Sequence, residues 1–171
     1  RYARLCSAII HSLTRGVSAM CVPDMGRGSS DLHTAWIPWM DVPVCLGGLA
    51  VIEGSHRLPG FAKIRNTYCE YDTQRTGVIQ DAPEQDGWLS AEPAELLRFD
   101  QAARWVSSDF YAGDVVVFPM KLLHGSVPNR SQSTLRLSCD VRYQPASQPH
   151  DERYSVGASP EEQAAVDQQR M

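Results

Sequence analysis

Residues 135–143, LRLSCDVRY, alternate apolar and polar side chains without a break. A period of two is the signature of a β-strand, because successive side chains leave opposite faces of the pleat. Leu135, Leu137, Cys139, Val141 and Tyr143 share one face, and Arg136, Ser138, Asp140 and Arg142 share the other. The polar face meets either solvent or a polar cavity, and Arg136 goes with it. The runs TAWIPWMDV (34–42), LAVIEG (49–54) and DVVVFPM (114–120) are β-favouring in the same way and are bounded by turn residues. Four such runs predict the walls of a β-sandwich or barrel.

Between the second and third of these runs lies a charged, turn-rich insertion, 58–108, whose clearest element is PAELLRFDQAARW (93–105). Pro93 suits a first helical turn, and Leu96, Leu97 and Ala103 recur at helical spacing, so a helix covering the sheet is expected. The insertion is expected to supply much of a substrate lid. In the tail, Ser159 and Pro160 with Glu161 and Glu162 predict a short helix over 159–170. With 171 residues, 43% of them hydrophobic, the chain reads as one domain, 1–171, with its own core. It starts at Arg1, and residues 1–20 follow neither periodicity clearly, so the N-terminal end, 1–24, reads as truncated or atypical.

A net charge of −4 without a basic block argues against nucleic acid or an anionic membrane as partner and for a small molecule. No apolar run approaches the roughly 20 residues of a membrane span, and no signal peptide is evident, which predicts a soluble, cytoplasmic protein. The oligomeric state is not legible. The five cysteines are scattered and include no C-x-x-C pair, so buried free thiols are expected rather than disulfides or a zinc knuckle.

Of the five histidines, His124 stands out. It follows a β-run, in a Leu-His-Gly-Ser turn that can carry an imidazole to the mouth of a barrel, and Arg136 comes twelve residues later. A guanidinium there can grip a carboxylate through two parallel hydrogen bonds. Equally, Arg136 can pair with Asp140 or another carboxylate of the sheet. A non-haem Fe(II) site needs two histidines and one carboxylate on one face of the metal. Its usual mark, His-x-Asp, is absent, and His-x-Glu occurs only at 150–152, in a polar tail after Pro145 and Pro149.

Taken together, MGRGSSDLHTAWIPWMDVPVCLGGLAVIEGSHRLPGF (25–61), DFYAGDVVVFPMKLLHGSVPNRS (109–131) and LRLSCDVRYQPASQPHDERY (135–154) resemble the phytanoyl-CoA dioxygenase family of Fe(II)/2-oxoglutarate oxygenases. The resemblance implies a mainly β fold, the double-stranded β-helix (jelly roll, cupin-like), with a few covering helices. It implies Fe(II) and 2-oxoglutarate as cofactors and hydroxylation of a small organic substrate. By position, His124 resembles the family's distal metal-ligating histidine and Arg136 its arginine for 2-oxoglutarate. Thr34 and Ser126 are further candidate contacts to the oxo acid. Glu53 to Arg57, with His56, resembles a family turn and is read as a structural corner. Counting back from Met25, the family's His-x-Asp positions fall on Ala19 and Cys21. Alanine offers no donor and cysteine a soft one, which leaves three readings: a catalytically inactive relative that keeps the fold, a first segment of about twenty residues that is not the natural one in an otherwise intact oxygenase, or a rebuilt site in which Cys21 or Asp24 joins His124.

Overall fold

The computed structural model describes residues 2–5, 29–70, 92–131 and 133–148, with the backbone alone for 2–5 and 67–70. The described residues form seven strands: β1 (Tyr2–Leu5), β2 (His33–Pro38), β3 (Leu49–Ile52), β4 (Trp105–Ser107), β5 (Val116–Pro119), β6 (His124–Ser126) and β7 (Ser138–Pro145). Among the described residues two α-helices, α1 (Ala62–Glu70) and α2 (Pro93–Leu96), accompany them. The strands make two antiparallel sheets, in the orders β1-β7-β2-β5 and β4-β3-β6. Trp36 of β2 and Phe118 of β5 bury themselves against Leu49 of β3 and against Leu122, so one apolar cluster joins the two sheets. The fold is mainly β, of the double-stranded β-helix class.

Strand register decides which side chains enter the interior. Thr34 lies opposite Phe118 on one side and Arg142 on the other, and Trp36 lies opposite Val116 and Asp140. Cross-strand partners share a face, so Thr34, Trp36, Phe118, Asp140 and Arg142 point the same way, inward. The alternating run around β7 is therefore turned with its polar side to the interior. Arg136 and Ser138 are 8% and 1% exposed, whereas Leu135 and Leu137 are 43% and 38% exposed. Of the two placements open to Arg136, solvent or a polar interior, the fold selects the interior.

A second core holds the other end of the molecule. Ile52, Phe61, Ile64, Leu96 and Leu123 are all but fully buried against one another, with Leu58, Phe99 and Trp105 packed around them. The described ends of the 58–108 insertion thus serve as core, and residues 71–91 lie outside the described residues.

Several local expectations need correction. The helix expected over 93–105 is a single turn, Pro93–Leu96, followed by a 3-10 turn, Leu97–Phe99. Asp100 ends it with an extended backbone (φ −152°, ψ 132°), and its carboxylate accepts the amides of Ala102 and Gly60 at 2.9 and 3.0 Å. Beyond it, Trp105 opens β4 opposite Ile52, and its indole Nε1 donates to the Pro93 carbonyl at 3.0 Å. Helix α1 was not foreseen, because its charged sequence carries few apolar residues at helical spacing. The strand expected over 34–42 stops at Pro38, and that over 135–143 begins at Ser138. Cys139 is buried as expected, but Cys45 is exposed. The tail helix expected over 159–170 and nearly all of residues 1–24 lie outside the described residues.

Gly60 gives a direct test of this packing. A Cβ at this position would stand 1.8 Å from the Phe99 carbonyl oxygen and 2.6 Å from its carbon, both backbone atoms. Neither can yield without separating the 59–61 turn from the Phe99–Asp100 segment. Gly60→Ala is expected to destabilise the fold by about 3 kcal/mol, at the upper end of ordinary overpacking, read as a lowered urea midpoint.

Candidate functional site

His124 is placed by the corner that precedes α1. Gly54 takes a left-handed conformation (φ 71°) that glycine adopts without strain, which brings Ser55 back under the start of β6. The fully buried Ser55 hydroxyl accepts the Leu123 amide at 2.9 Å, and the Ile52 amide donates to the Leu123 carbonyl at 2.8 Å. Arg65 locks the corner by donating to the carbonyls of Ser55 and Leu58 at 2.8 and 2.7 Å. The turn therefore fixes the residue immediately before His124. Ser55→Ala would leave a buried amide without its acceptor, and a loss of about 1–3 kcal/mol in thermal or urea unfolding is expected.

His124 itself lies in β6, not in a turn, a correction that comes from the pairing of Val51 with His124 and of Leu49 with Ser126. Its Nδ1 is 2.9 Å from the Leu122 carbonyl. A carbonyl only accepts, so Nδ1 is the donor of this bond, and in the neutral form of the ring the lone pair falls on Nε2. This is the arrangement of a ligating histidine, oriented by a backbone carbonyl behind it. The ring also packs on Phe118, with centroids 4.6 Å apart and planes at 51°. Ser126, two residues on, shares the strand face of His124.

Arg136 enters the interior just before β7. Its Cζ lies 5.9 Å from the centroid of the Trp36 ring, and Trp36 meets Phe110 edge-on at 4.9 Å. Among the described residues, Nη1 of Arg136 is buried without a hydrogen-bond partner. Burial pushes the guanidinium below its usual pKa, an effect that the charge of Asp140 partly offsets. A buried guanidinium with an unfilled N–H is costly until an anion fills it. Ser138 Oγ, two residues along the same face, is likewise buried and unpartnered.

The structure brings His124 and Arg136 to one aromatic cluster. His124 stacks on Phe118, Arg136 lies over Trp36, and Trp36 and Phe118 pack together. Thr34, 1% exposed and opposite Phe118, shares this inner face. His56 stands apart in the corner. Burial first, and then the charges of Arg57 and Arg65, hold it below the ordinary imidazole value. Sequence reasoning missed Ser138 and Trp36 as members of the site. The period of two already placed Ser138 beside Arg136, but nothing in the sequence marked Trp36 as the ring beneath the guanidinium.

The two implied cofactors fit unequally. A carboxylate, such as that of 2-oxoglutarate, matches the unfilled Nη1 of Arg136. For iron, the described residues contain no group of three or more His, Cys, Asp or Glu side chains able to hold a metal ion. Among them His124 and the inward-facing Asp140 are ligand-type side chains near the site, and Ala19 and Cys21 lie outside the described residues. No helix among the described residues is long and apolar enough to cross a membrane.

Comparison with known proteins agrees with this architecture. A family model described as phytanoyl-CoA dioxygenase (PhyH) matches residues 22–137, more than half of the chain. The match begins one residue after Cys21. A 1-deoxypentalenic acid 11-beta-hydroxylase of Streptomyces exfoliatus is 31% identical over 122 residues, which is 70% of this chain and 38% of that protein. The protein of the same name from Streptomyces arenae matches to the same extent. The chain thus spans well under half the length of these curated relatives.

Among solved structures, the epimerase SnoN in complex with Fe3+, alpha ketoglutarate and nogalamycin RO has a TM-score of 0.51 at 23% identity, covering 81% of this chain and 47% of that one. AviO1 from Streptomyces viridochromogenes Tue57 has a TM-score of 0.50 at 18% identity, covering 88% and 54%. At such identities the likeness speaks for the fold.

Proposed function

The chain belongs to the phytanoyl-CoA dioxygenase family, and from that premise we propose that it is an Fe(II)/2-oxoglutarate-dependent dioxygenase-like protein that grips the oxo acid through Arg136. The observation that carries this reading is the buried guanidinium with an unfilled Nη1. A carboxylate there would satisfy it and be held over the Trp36 face. Ser138 Oγ, Thr34 and Ser126 offer hydroxyls along the same interior, and the apolar cluster of Trp36, Leu49, Phe118 and Leu122 keeps water from its floor.

In this reading His124 contributes Nε2 to a metal, and hydroxylation of a small organic substrate follows where the metal's ligand set is complete. Support for the chemistry comes from the hydroxylase name of the curated relatives and from the Fe3+ and alpha ketoglutarate bound in the SnoN complex. The test is an anaerobic titration with Fe(II) and 2-oxoglutarate, watching for the charge-transfer band of the chelate, followed by aerobic assay for succinate. A saturable band and succinate release would establish turnover.

A second reading is favoured by one observation, the residues at the family's His-x-Asp positions. Ala19 has no donor atom and Cys21 a soft one. The protein is then a catalytically inactive relative that keeps the fold and a carboxylate pocket, and it binds 2-oxoglutarate without consuming it.

A further inference from the structure

We propose that His56 makes the corner at 53–57 a proton-sensitive latch. With a neutral ring the corner holds the start of β6 in place, and a proton on the ring opens it and frees the strand that carries His124.

The corner is built from carbonyls that already have donors. The Gly54 carbonyl accepts the amides of Arg57 and Leu58 at 2.7 and 2.9 Å, and that of Ile52 accepts the Ser55 amide at 3.1 Å. Nη1 of Arg65 reaches from α1 to the carbonyls of Ser55 and Leu58, at 2.8 and 2.7 Å. His56 lies in the chain between those two carbonyls, so a guanidinium is fixed beside it. Of its two ring nitrogens only Nδ1 is buried without a hydrogen-bond partner. A neutral imidazole can leave that position bare and carry its one proton on Nε2. An imidazolium cannot, because both nitrogens are then donors and the second N–H falls where no acceptor waits.

The charges around the ring work in the same direction. Burial first, then Arg57 in the corner and Arg65 in α1, oppose a positive charge on His56. Glu53, the acid closest to it in the chain, is turned to Arg104 at 2.6 Å. A ring held below its ordinary value takes up a proton more readily once the corner opens. Its contribution to stability is therefore complete above the ordinary imidazole value of 6.5 and is lost as the pH falls through that value towards the lower one of the folded ring. The loss has a specific target. The fully buried Ser55 hydroxyl accepts the Leu123 amide at 2.9 Å, so an open corner strips the residue next to His124 of its acceptor.

The experiment is amide hydrogen exchange on the full chain, followed by NMR at about pH 8 and about pH 5, on either side of the imidazole range, and expressed as protection relative to the intrinsic rate. Protection of the Leu123 amide is expected to fall severalfold at the lower pH, while amides paired between β2 and β7 change little. The His56 ring protons in the same sample should titrate below those of a histidine in an unstructured peptide. His56→Gln, which stays polar and takes up no proton, should abolish the fall at Leu123. Arg57→Gln, which removes one opposing charge at an exposed position, should reduce it.

Equal protection of Leu123 at both pH values would overturn the proposal, as would a fall that persists in folded His56→Gln. A fall shared equally by the β2 and β7 amides would place the titration outside the corner and overturn it too. Should His56→Gln fail to fold, Arg57→Gln decides, because an acid loss that it leaves unchanged does not come from a proton opposed by the arginines.

Discussion

Arg136→Met is expected to raise the stability of the ligand-free protein while removing its affinity for 2-oxoglutarate. The reason is the state of the guanidinium before a ligand arrives. It is 8% exposed, its Nη1 finds no acceptor among the described residues, and burial outweighs the pull of Asp140 on its proton. Holding such a group inside the fold costs several kcal/mol, and its contact with Trp36 returns about 0.5–2 kcal/mol. Methionine has a similar reach, no charge and a thioether that packs well on aromatic rings. The net gain should be about 1–2 kcal/mol, or a rise of roughly 2–8 °C in melting temperature for a chain of this size. With 2-oxoglutarate at a hundred times its dissociation constant, the wild type should gain about 2.7 kcal/mol and the variant nothing. Urea melts with and without the acid read both effects. A variant less stable than wild type in the absence of ligand would show that Arg136 is a structural cation, and the pocket reading would fail with it.

This trade of stability for an unfilled donor explains why the site was partly legible in the sequence. The alternation around β7 is a local signal, and it assigned Arg136, Ser138 and Arg142 to one face correctly. Which face turned inward was not local information. It follows from β2 lying between β7 and β5, which aligns Thr34 and Trp36 with that polar face and buries it, leaving Leu135 and Leu137 outside. Hydropathy alone gives the opposite orientation, because an interior lined by arginine and serine is anomalous unless it holds something.

The corner at 53–57 shows the same division. Its glycine and its turn character were readable, but its purpose was not, since the hydrogen bond from Leu123 to Ser55 spans 68 residues. The failures among the helices have a different cause. Helix 93–105 was extended too far because Ala103 fell at helical spacing by coincidence, while the side chain of Asp100 had already taken the amide of Ala102. Propensity could not weigh that side-chain bond against one more helical turn.

Ala19→His combined with Cys21→Asp is expected to raise the affinity of the protein for Fe(II) and to make metal strengthen its oxo-acid binding. By the count back from Met25, these are the positions at which the family carries His-x-Asp, and the family match itself begins only at residue 22. His124 already has its Nδ1 turned to the Leu122 carbonyl, which in the neutral ring leaves the lone pair on Nε2. Adding an imidazole and a carboxylate would complete the two-histidine, one-carboxylate set that suits Fe(II). Fe(II) affinity should rise on the order of 100-fold or more, and the two substitutions should be strongly non-additive, since either alone leaves a two-ligand site. The sharper readout is the oxo acid. In the double variant Mn(II) should tighten 2-oxoglutarate more than it does in the parent chain, and leave glutarate, which lacks the 2-oxo group, unchanged. If the double variant folds and gains no affinity for Fe(II), residues 19–21 do not stand in the family's register. Completion of the site would then have to come from a segment other than the one that the sequence count selects.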